Sequence, residues 1–148
     1  MTAVNLLVRH IPALPASALA DLAAEPPWAL TGAADDIVRR LLAGLGADFS
    51  VADEVAVHAS TRIEPGAVLK GPLVVGPRCF IGHGATLRGG VWLEEACTIG
   101  PGSELKASFL FAGTALAHFN FVGESVIGRA VNLEAGAVIA NHRNEWPG

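Results

Sequence analysis

The stretch from Ile63 to Glu104 reads IEPGAV LKGPLV VGPRCF IGHGAT LRGGVW LEEACT IGPGSE, and each block of six opens on Ile, Leu or Val. An α-helix repeats every 3.6 residues and an alternating strand every two, so a strict period of six fits neither element. Short strands joined by tight corners, three to each turn of a coil, do fit it. The stretch therefore predicts an all-β chain wound as a parallel β-helix.

The same spacing extends on both sides of this stretch. Blocks run from Val51 to Leu116, and after a short break in the period (117–120) they resume at Phe121. Fifteen such blocks at three per turn give about five coils. Equivalent positions three blocks apart should then lie on adjacent turns, about 4.8 Å apart, the spacing of paired strands. We interpret 117–120 as a loop or bulge, an interruption that is frequent at functional sites.

Residues 1–50 do not follow the period of six and divide the chain into two parts. Ile37, Val38 and Leu41 give this segment the apolar stripe of a helix. We expect 1–50 to form a short helical cap over the first coil, where it protects an exposed strand edge. Residues 51–148 are then the β-helix domain.

Composition limits the class of protein. The 148 residues are 51% apolar and only 16% charged, which predicts surface buried between copies and, for a three-sided coil, a homotrimer. A net charge of −4 argues against a nucleic-acid partner. Because the sequence contains neither a long apolar run nor a recognisable signal peptide, we expect a cytoplasmic protein with no membrane partner.

Cys79 and Cys97 are three blocks apart, and both take the fifth place of a block. They should therefore stack inside the coil on adjacent turns, as two buried reduced thiols that fill small apolar spaces. A disulfide between them is possible by distance, but parallel side-chain vectors fit its geometry poorly.

Three cations follow the same three-block rule. Lys70, Arg88 and Lys106 each take the second place of a block, whereas the equivalent places on the other two faces hold no cation. Like charges at ladder distance repel one another, so an anion bound between them would relieve the repulsion. Arginine can bind phosphate through two hydrogen bonds and lysine adds a point charge. The alternative is a solvated column whose long side chains splay apart.

His118 lies in the irregular segment 117–120. Imidazole titrates near neutral pH and suits general-base work, although a lone histidine is more often structural. Asn132 and Asn141 belong to a late polar cluster and could hydrogen-bond a substrate amine or hydroxyl, or only the corners of the coil.

Over residues 51–144 the sequence resembles the hexapeptide-repeat transferases, whose fold is a left-handed parallel β-helix. From Arg88 through AHFNFVGESVIGRAVNLEAGAVIAN (117–141) it is similar, without a gap, to the acetyltransferase half of the bifunctional N-acetylglucosamine-1-phosphate uridyltransferases. The resemblance implies acetyl-CoA as acyl donor, a phosphorylated sugar as acceptor and no metal. It also implies a role for each matching residue: phosphate binding by Arg88 and Lys106, general base for His118, substrate binding by Asn132 and Asn141.

Several positions depart from that family. Phe121 and His142 each stand where it has a tyrosine. Phe121 loses a hydroxyl near the phosphate, whereas His142 could substitute as a hydrogen-bond donor. Pro147 replaces a further phosphate-binding lysine. The family's later coils, which hold much of the acetyl-CoA, have no counterpart in these residues. The helical preface also resembles sugar-phosphate nucleotidyltransferase-like proteins.

Three functions are therefore weighed. The first is an acyltransferase for a phosphorylated amino sugar, and the second is a non-catalytic sugar-phosphate-binding or structural protein of the same shape. The third, more remote, is a zinc enzyme like the γ-class carbonic anhydrases, which needs three converging histidines. The spacings between His58, His83 and His118 are not whole multiples of three blocks, so these histidines should not share a column.

Overall fold

The computed structural model describes residues 6–140, and within them short strands wind into a parallel β-helix of about five turns, as predicted. The strands form three sheets, one on each side of the coil. Sheet A contains β1 (Phe49–Ala52), β2 (Val55–His58), β5 (Leu73–Val75), β8 (Val91–Leu93), β11 (Phe109–Leu110) and β14 (Val126–Ile127). Sheet B contains β3 (Arg62–Ile63), β6 (Phe80–Ile81), β9 (Thr98–Ile99), β12 (Ala115–Leu116) and β15 (Asn132–Leu133). Sheet C contains β4 (Val68–Leu69), β7 (Thr86–Arg88), β10 (Glu104–Lys106), β13 (Phe121–Gly123) and β16 (Val138–Ile139).

The interior of the coil is a set of stacked aliphatic side chains. Ile63, Ile81 and Ile99 lie in register on adjacent strands of sheet B, and the last two are completely buried. Leu69, Leu87 and Leu105 do the same in sheet C. The first place of each of these blocks is thus the inward position, because burying one aliphatic per strand leaves the core dry and closely packed.

Cys79 and Cys97 stack on adjacent turns at the corner between sheets A and B, and both are buried free thiols, as predicted. The Cys79 amide donates to the Thr61 hydroxyl of the preceding coil at 3.0 Å. The contact with Cys79, together with burial, raises the pKa of the Cys97 thiol. The geometry therefore assigns Cys97 a packing role as a neutral thiol.

The coil changes its period partway along the chain. Phe80 pairs with Thr98, a full three blocks on, whereas Trp92 pairs with Phe109, which falls one position short of three blocks. The shorter step persists in later coils, where Leu116 pairs with Leu133. Stacked residues are therefore three blocks apart in the early coils, and one position less than three blocks apart in the later coils.

The coil becomes shorter at two corners between sheets C and A. One runs from Lys106 to Phe109 and the next from Gly123 to Val126, and each is one position shorter than the corner from Arg88 to Trp92. A serine closes each short corner: Ser108 Oγ donates to the Lys106 carbonyl and Ser125 Oγ to the Gly123 carbonyl, both at 2.8 Å. These hydroxyls supply local partners in the shortened turn.

The predicted loop at 117–120 is wrong. Ala115 pairs with Thr98 and Phe121 with Glu104, so the two chain segments that join these strands have equal length. Residues 117–120 form the ordinary corner between sheets B and C. The period of six looked broken there because two deletions elsewhere had shifted the reading frame.

Residues 6–50 contain three helices, α1 (Leu6–His10), α2 (Pro27–Gly32) and α3 (Ala34–Leu42), and two single 3₁₀ turns (Leu14–Ala16 and Ala20–Leu22). Asp35 and Asp36 in the first turn of α3 and Arg39 and Arg40 in its last complement the helix dipole. No helix within residues 6–140 is long and apolar enough to cross a membrane.

These helices lie along the outer face of sheet A, not over the end of the coil, which corrects the predicted placement of the cap. The outward side chains of this sheet are apolar, and they share one core with the helices; they are Ala56, Val74, Trp92, Phe109 and Val126. Helix α3 contributes Ile37 and Val38. The close fit is visible at Gly90, where a Cβ would lie 2.6 Å from the Ala34 backbone.

Candidate functional site

The predicted cation column is present on the outer side of sheet C. Arg88 and Lys106 are register partners on β7 and β10, and the Lys70 amide donates to the Leu87 carbonyl on the coil that carries Arg88. All three side chains leave the coil at the edge where sheet C turns toward sheet A. Binding of an anion here remains a prediction.

Glutamates are interleaved with these cations, so the expectation of unrelieved like-charge repulsion is wrong. Arg88 Nε donates to Glu104 Oε1 at 2.6 Å, and Lys106 Nζ lies 3.5 Å from Glu124 Oε1. Each of these four side chains is between one third and two fifths exposed. The pairs are thus partly solvated and exchangeable, and each contributes about 1 kcal/mol or less to stability. A dianionic ligand would have to displace the carboxylates.

His118 occupies the regular corner between sheets B and C. Its carbonyl accepts a hydrogen bond from the Gly136 amide at 3.1 Å, which fixes the backbone in the ladder of corners. The imidazole is exposed and meets the Phe119 ring edge to face, with the ring centres 5.7 Å apart. Within residues 6–140, no hydrogen bond or ion pair engages either ring nitrogen of His118. Such an imidazole is open to a proton donor.

His83 and His118 do share a column, contrary to expectation. The Phe119 amide donates to the Pro101 carbonyl and the Gly102 amide donates to the His83 carbonyl, so His83 stands two coils below His118 with Pro101 between them. Their separation is one full turn plus one shortened turn. His58 lies elsewhere, at the end of β2. Among residues 6–140 no group of three or more His, Cys, Asp or Glu side chains could hold a metal ion.

Phe119, the residue after His118, carries a feature that the sequence analysis missed. Phe119 has a φ of 52° and is 70% exposed. In the other four coils the same corner position is a glycine with positive φ, namely Gly66, Gly84, Gly102 and Gly136. Alignment of the corner tetrapeptides EPGA, GHGA, GPGS, AHFN and EAGA would have singled it out.

Asn120 completes this corner from the inside. Its side chain is buried and donates from Nδ2 to the Glu134 carbonyl at 2.7 Å and to the Ala137 carbonyl at 3.1 Å. The backbone amide of Asn120 donates to Ser103 Oγ. The backbone that presents His118 and Phe119 is therefore tied to the coils before and after it.

Asn132 and Phe121 lie on different sheets. Asn132 faces outward on β15 of sheet B, where its Nδ2 donates to Glu134 Oε1 at 2.7 Å. Phe121 faces outward on β13 of sheet C, opposite Glu104 and beside the cation column. Asn141 and His142 lie outside the described residues.

One chain does not bring the predicted residues into a single cluster. Lys106 is the register partner of Gly123, five positions after His118, so His118 and the cations stand at opposite ends of the sheet C strands. At about 3.3 Å per residue this is roughly 16 Å along the chain. A cavity of about 360 Å³ lies between α2 and the last described coils, where Trp28, Val126 and Ile139 line it.

Comparison with known proteins supports the family that the repeat resembles. Residues 72–107 match the family described as bacterial transferase hexapeptide (six repeats). The bifunctional protein GlmU of Synechococcus elongatus is 40% identical over 99 residues, which are 67% of this chain and 18% of that protein. The bifunctional protein GlmU of Chromobacterium violaceum is 39% identical over 92 residues, 62% of this chain and 20% of that protein. The predicted resemblance to hexapeptide-repeat transferases is confirmed.

The chain spans about a fifth or less of the length of these curated relatives. Among solved structures, a variant of perosamine N-acetyltransferase from Caulobacter crescentus in complex with CoA and GDP-perosamine is 14% identical, with a TM-score of 0.44 over 57% of this chain and 50% of that one.

Proposed function

We propose that this protein is an acyltransferase that acetylates the amine of a phosphorylated amino sugar with acetyl-CoA as donor. The observation that carries the proposal is the pairing of Arg88 with Lys106 on adjacent strands of an open sheet face. Two cations one strand spacing apart match the oxygen atoms of a phosphate. Similarity to GlmU proteins over two thirds of the chain supports the same class.

In this proposal Arg88 and Lys106 hold the sugar phosphate, with Lys70 adding positive potential from the coil below. His118 accepts the proton of the amine as its nitrogen attacks the thioester carbonyl. The new N–C bond forms and the C–S bond breaks. The imidazole then passes the proton to the CoA sulfur, which leaves as the free thiol. Asn132 and Asn141 orient the amine or the oxyanion, and His142 lies next to Asn141 in sequence.

We further propose that the working unit is a homotrimer in the cytoplasm. The separation of about 16 Å between His118 and the cations within one chain is too long for one amino-sugar phosphate to bridge. A neighbouring copy packed around a threefold axis can bring its own His118 to the column. We also propose that the chain is divided into a helical segment (1–50) and a β-helix (51–148). The proposed reaction needs neither a nucleic acid nor a membrane.

The direct test is release of free CoA thiol when the protein is incubated with glucosamine-1-phosphate and acetyl-CoA. Replacement of His118 by Ala should lower the rate about 10²–10⁴-fold, the usual contribution of a general base, and leave sugar affinity nearly unchanged. Activity that survives His118→Ala within a few-fold contradicts the assigned base.

Mixing two inactive variants tests the shared site. In a trimer whose sites combine His118 of one copy with Arg88 of the next, random mixing of His118→Ala and Arg88→Ala chains restores about a quarter of the sites. Re-assembly of each variant alone is the control and should restore none. If every site lies within a single chain, the mixture stays as inactive as its parts.

A second function, sugar-phosphate binding without turnover, remains the alternative, and two observations motivate a test of it. The cations are already paired with Glu104 and Glu124, and Phe121 lacks the hydroxyl of the tyrosine in the resembling family. Calorimetric binding of glucosamine-1-phosphate with no thiol release, at several concentrations of acetyl-CoA, would establish this function instead.

A further inference from the structure

Phe119 is an aromatic residue held where the coil otherwise uses glycine. Its φ of 52° lies in the left-handed region, which a side chain with a Cβ adopts at a cost. Other corners do accept such residues, for example Ala96 and Ala130, but at the corner between sheets B and C the remaining four coils all have glycine. Residues retained in strained backbone regions cluster at functional sites, so the ring is a candidate for a role there.

Packing of the core does not account for this ring. The side chain of Phe119 is 70% exposed and rests on the coil below, where a Cβ on Gly102 would lie 2.7 Å from its Cδ1 atom. The glycine at 102 thus leaves the space in which the ring lies flat. The ring is held beside His118, with the two ring planes at 89°. Aromatic rings favour this edge-to-face arrangement.

The three histidines in the described part of the coil (51–140) differ in what contacts them. His58 Nδ1 lies 2.8 Å from Ser60 Oγ, and His83 Nδ1 lies 2.7 Å from the Pro65 carbonyl oxygen. The imidazole of His118 has no such hydrogen bond within residues 6–140, and Phe119 is its ring contact. A hydrogen bond would occupy one ring nitrogen, whereas the contact of His118 is with the aromatic ring of Phe119.

We infer that Phe119 is the positioning residue for His118: its ring limits rotation of the imidazole while leaving the unprotonated ring nitrogen free to accept a proton. The inference rests on the proposed function of His118 as a general base. Because proton transfer depends on the orientation of the base, loss of the ring should act on kcat and leave KM for the sugar nearly unchanged.

The variant Phe119→Gly removes the ring and installs the residue that the other four coils carry, so the coil should fold at least as stably. We expect kcat to fall about 10-fold, KM for the sugar to change less than about two-fold, and Phe119→Tyr to retain most of the activity. Phe80→Ala is the matched control, because Phe80 is an outward aromatic on sheet B that contacts Arg62 and not His118. A kcat loss as large in Phe80→Ala, or none in Phe119→Gly, overturns the inference.

NMR of the His118 imidazole gives a readout that needs no turnover. In the native protein the ring protons of His118 should show a ring-current shift and restricted side-chain motion, and both should disappear in Phe119→Gly and persist in Phe119→Tyr. If the native protein releases no CoA, the proposed function fails while this measurement still decides the positioning role. Unchanged imidazole spectra in Phe119→Gly, or a change in assembly state by light scattering that marks Phe119 as a subunit contact, reject it.

Discussion

Sheets A and C are built from the same repeat, yet they turn opposite chemistry outward. At the outward position of sheet A, Trp92 and Phe109 are buried under α3 and the other N-terminal segments. On sheet C the outward residues include Arg88, Glu104 and Lys106, which are partly exposed and engaged in ion pairs. The inward residues of both sheets are aliphatic, so the outward residues alone distinguish the chemistry of the two faces. The chain covers one face itself and leaves the other partly exposed.

This contrast changes the argument for assembly. The high apolar content suggested surface buried between copies, but the helices and sheet A bury much of it within one chain. The proposed trimer therefore rests on the distance between His118 and the cation column, and not on composition.

The largest effect that separates the two faces should come from a matched pair of phenylalanines. Phe109→Ala on sheet A removes a completely buried ring and should lower the free energy of unfolding by about 3–5 kcal/mol. Phe121→Ala on sheet C removes a partly exposed ring and should cost about 1 kcal/mol or less. Denaturant unfolding of both variants measures the difference. Equal losses would mean that sheet C is also a packed interface.

A smaller effect should appear in ligand binding at sheet C. Arg88→Gln should weaken binding of glucosamine-1-phosphate by about 1.5–3 kcal/mol, the value of a charge-assisted contact, and leave binding of unphosphorylated glucosamine unchanged. The control is Arg78→Gln, since Arg78 is also paired with a glutamate, Glu95, but at the corner between sheets A and B. Calorimetry that gives the same loss for both arginines, or for both sugars, contradicts a phosphate site on this face.

The smallest effect should be the stability change of Arg88→Gln itself. The Arg88–Glu104 pair is partly exposed, so its loss should cost less than about 1 kcal/mol, and added salt should shrink the difference further. Thermal unfolding at low and high ionic strength checks this. A loss comparable to that of Phe109→Ala would make the column a structural element of the coil.

The sequence predicted the columns because they depend only on the repeat. The stacking of Cys79 with Cys97 and of Arg88 with Lys106 follows from a coil with three blocks per turn, and both are observed. The shortened corners were missed because Ala107 and Ser108 resemble the small residues of an ordinary block. The period of six therefore seemed to break at 117–120, and this ordinary corner was wrongly interpreted as a loop or bulge.

Pairing between neighbouring columns was harder to predict than stacking. Glu104 lies two positions before Lys106 on the same strand, so its carboxylate reaches Arg88 on the coil below, a diagonal contact that a rule for equivalent positions does not contain. The site of the helices was missed for a related reason. Trp92 and Phe109 occupy the outward position of sheet A, and the interpretation of the blocks followed only their inward and corner places.

The two short corners also have a meaning for how such a chain can change over time. In a solenoid each coil contacts only its neighbours, so a deletion at a corner is absorbed there and is not transmitted as a frame shift to the rest of the molecule. Leu105 and Val122 remain stacked across the deletion, and so do Leu110 and Ile127. Corners of this kind are therefore places where insertions and deletions can accumulate while the columns that carry charge and chemistry stay aligned.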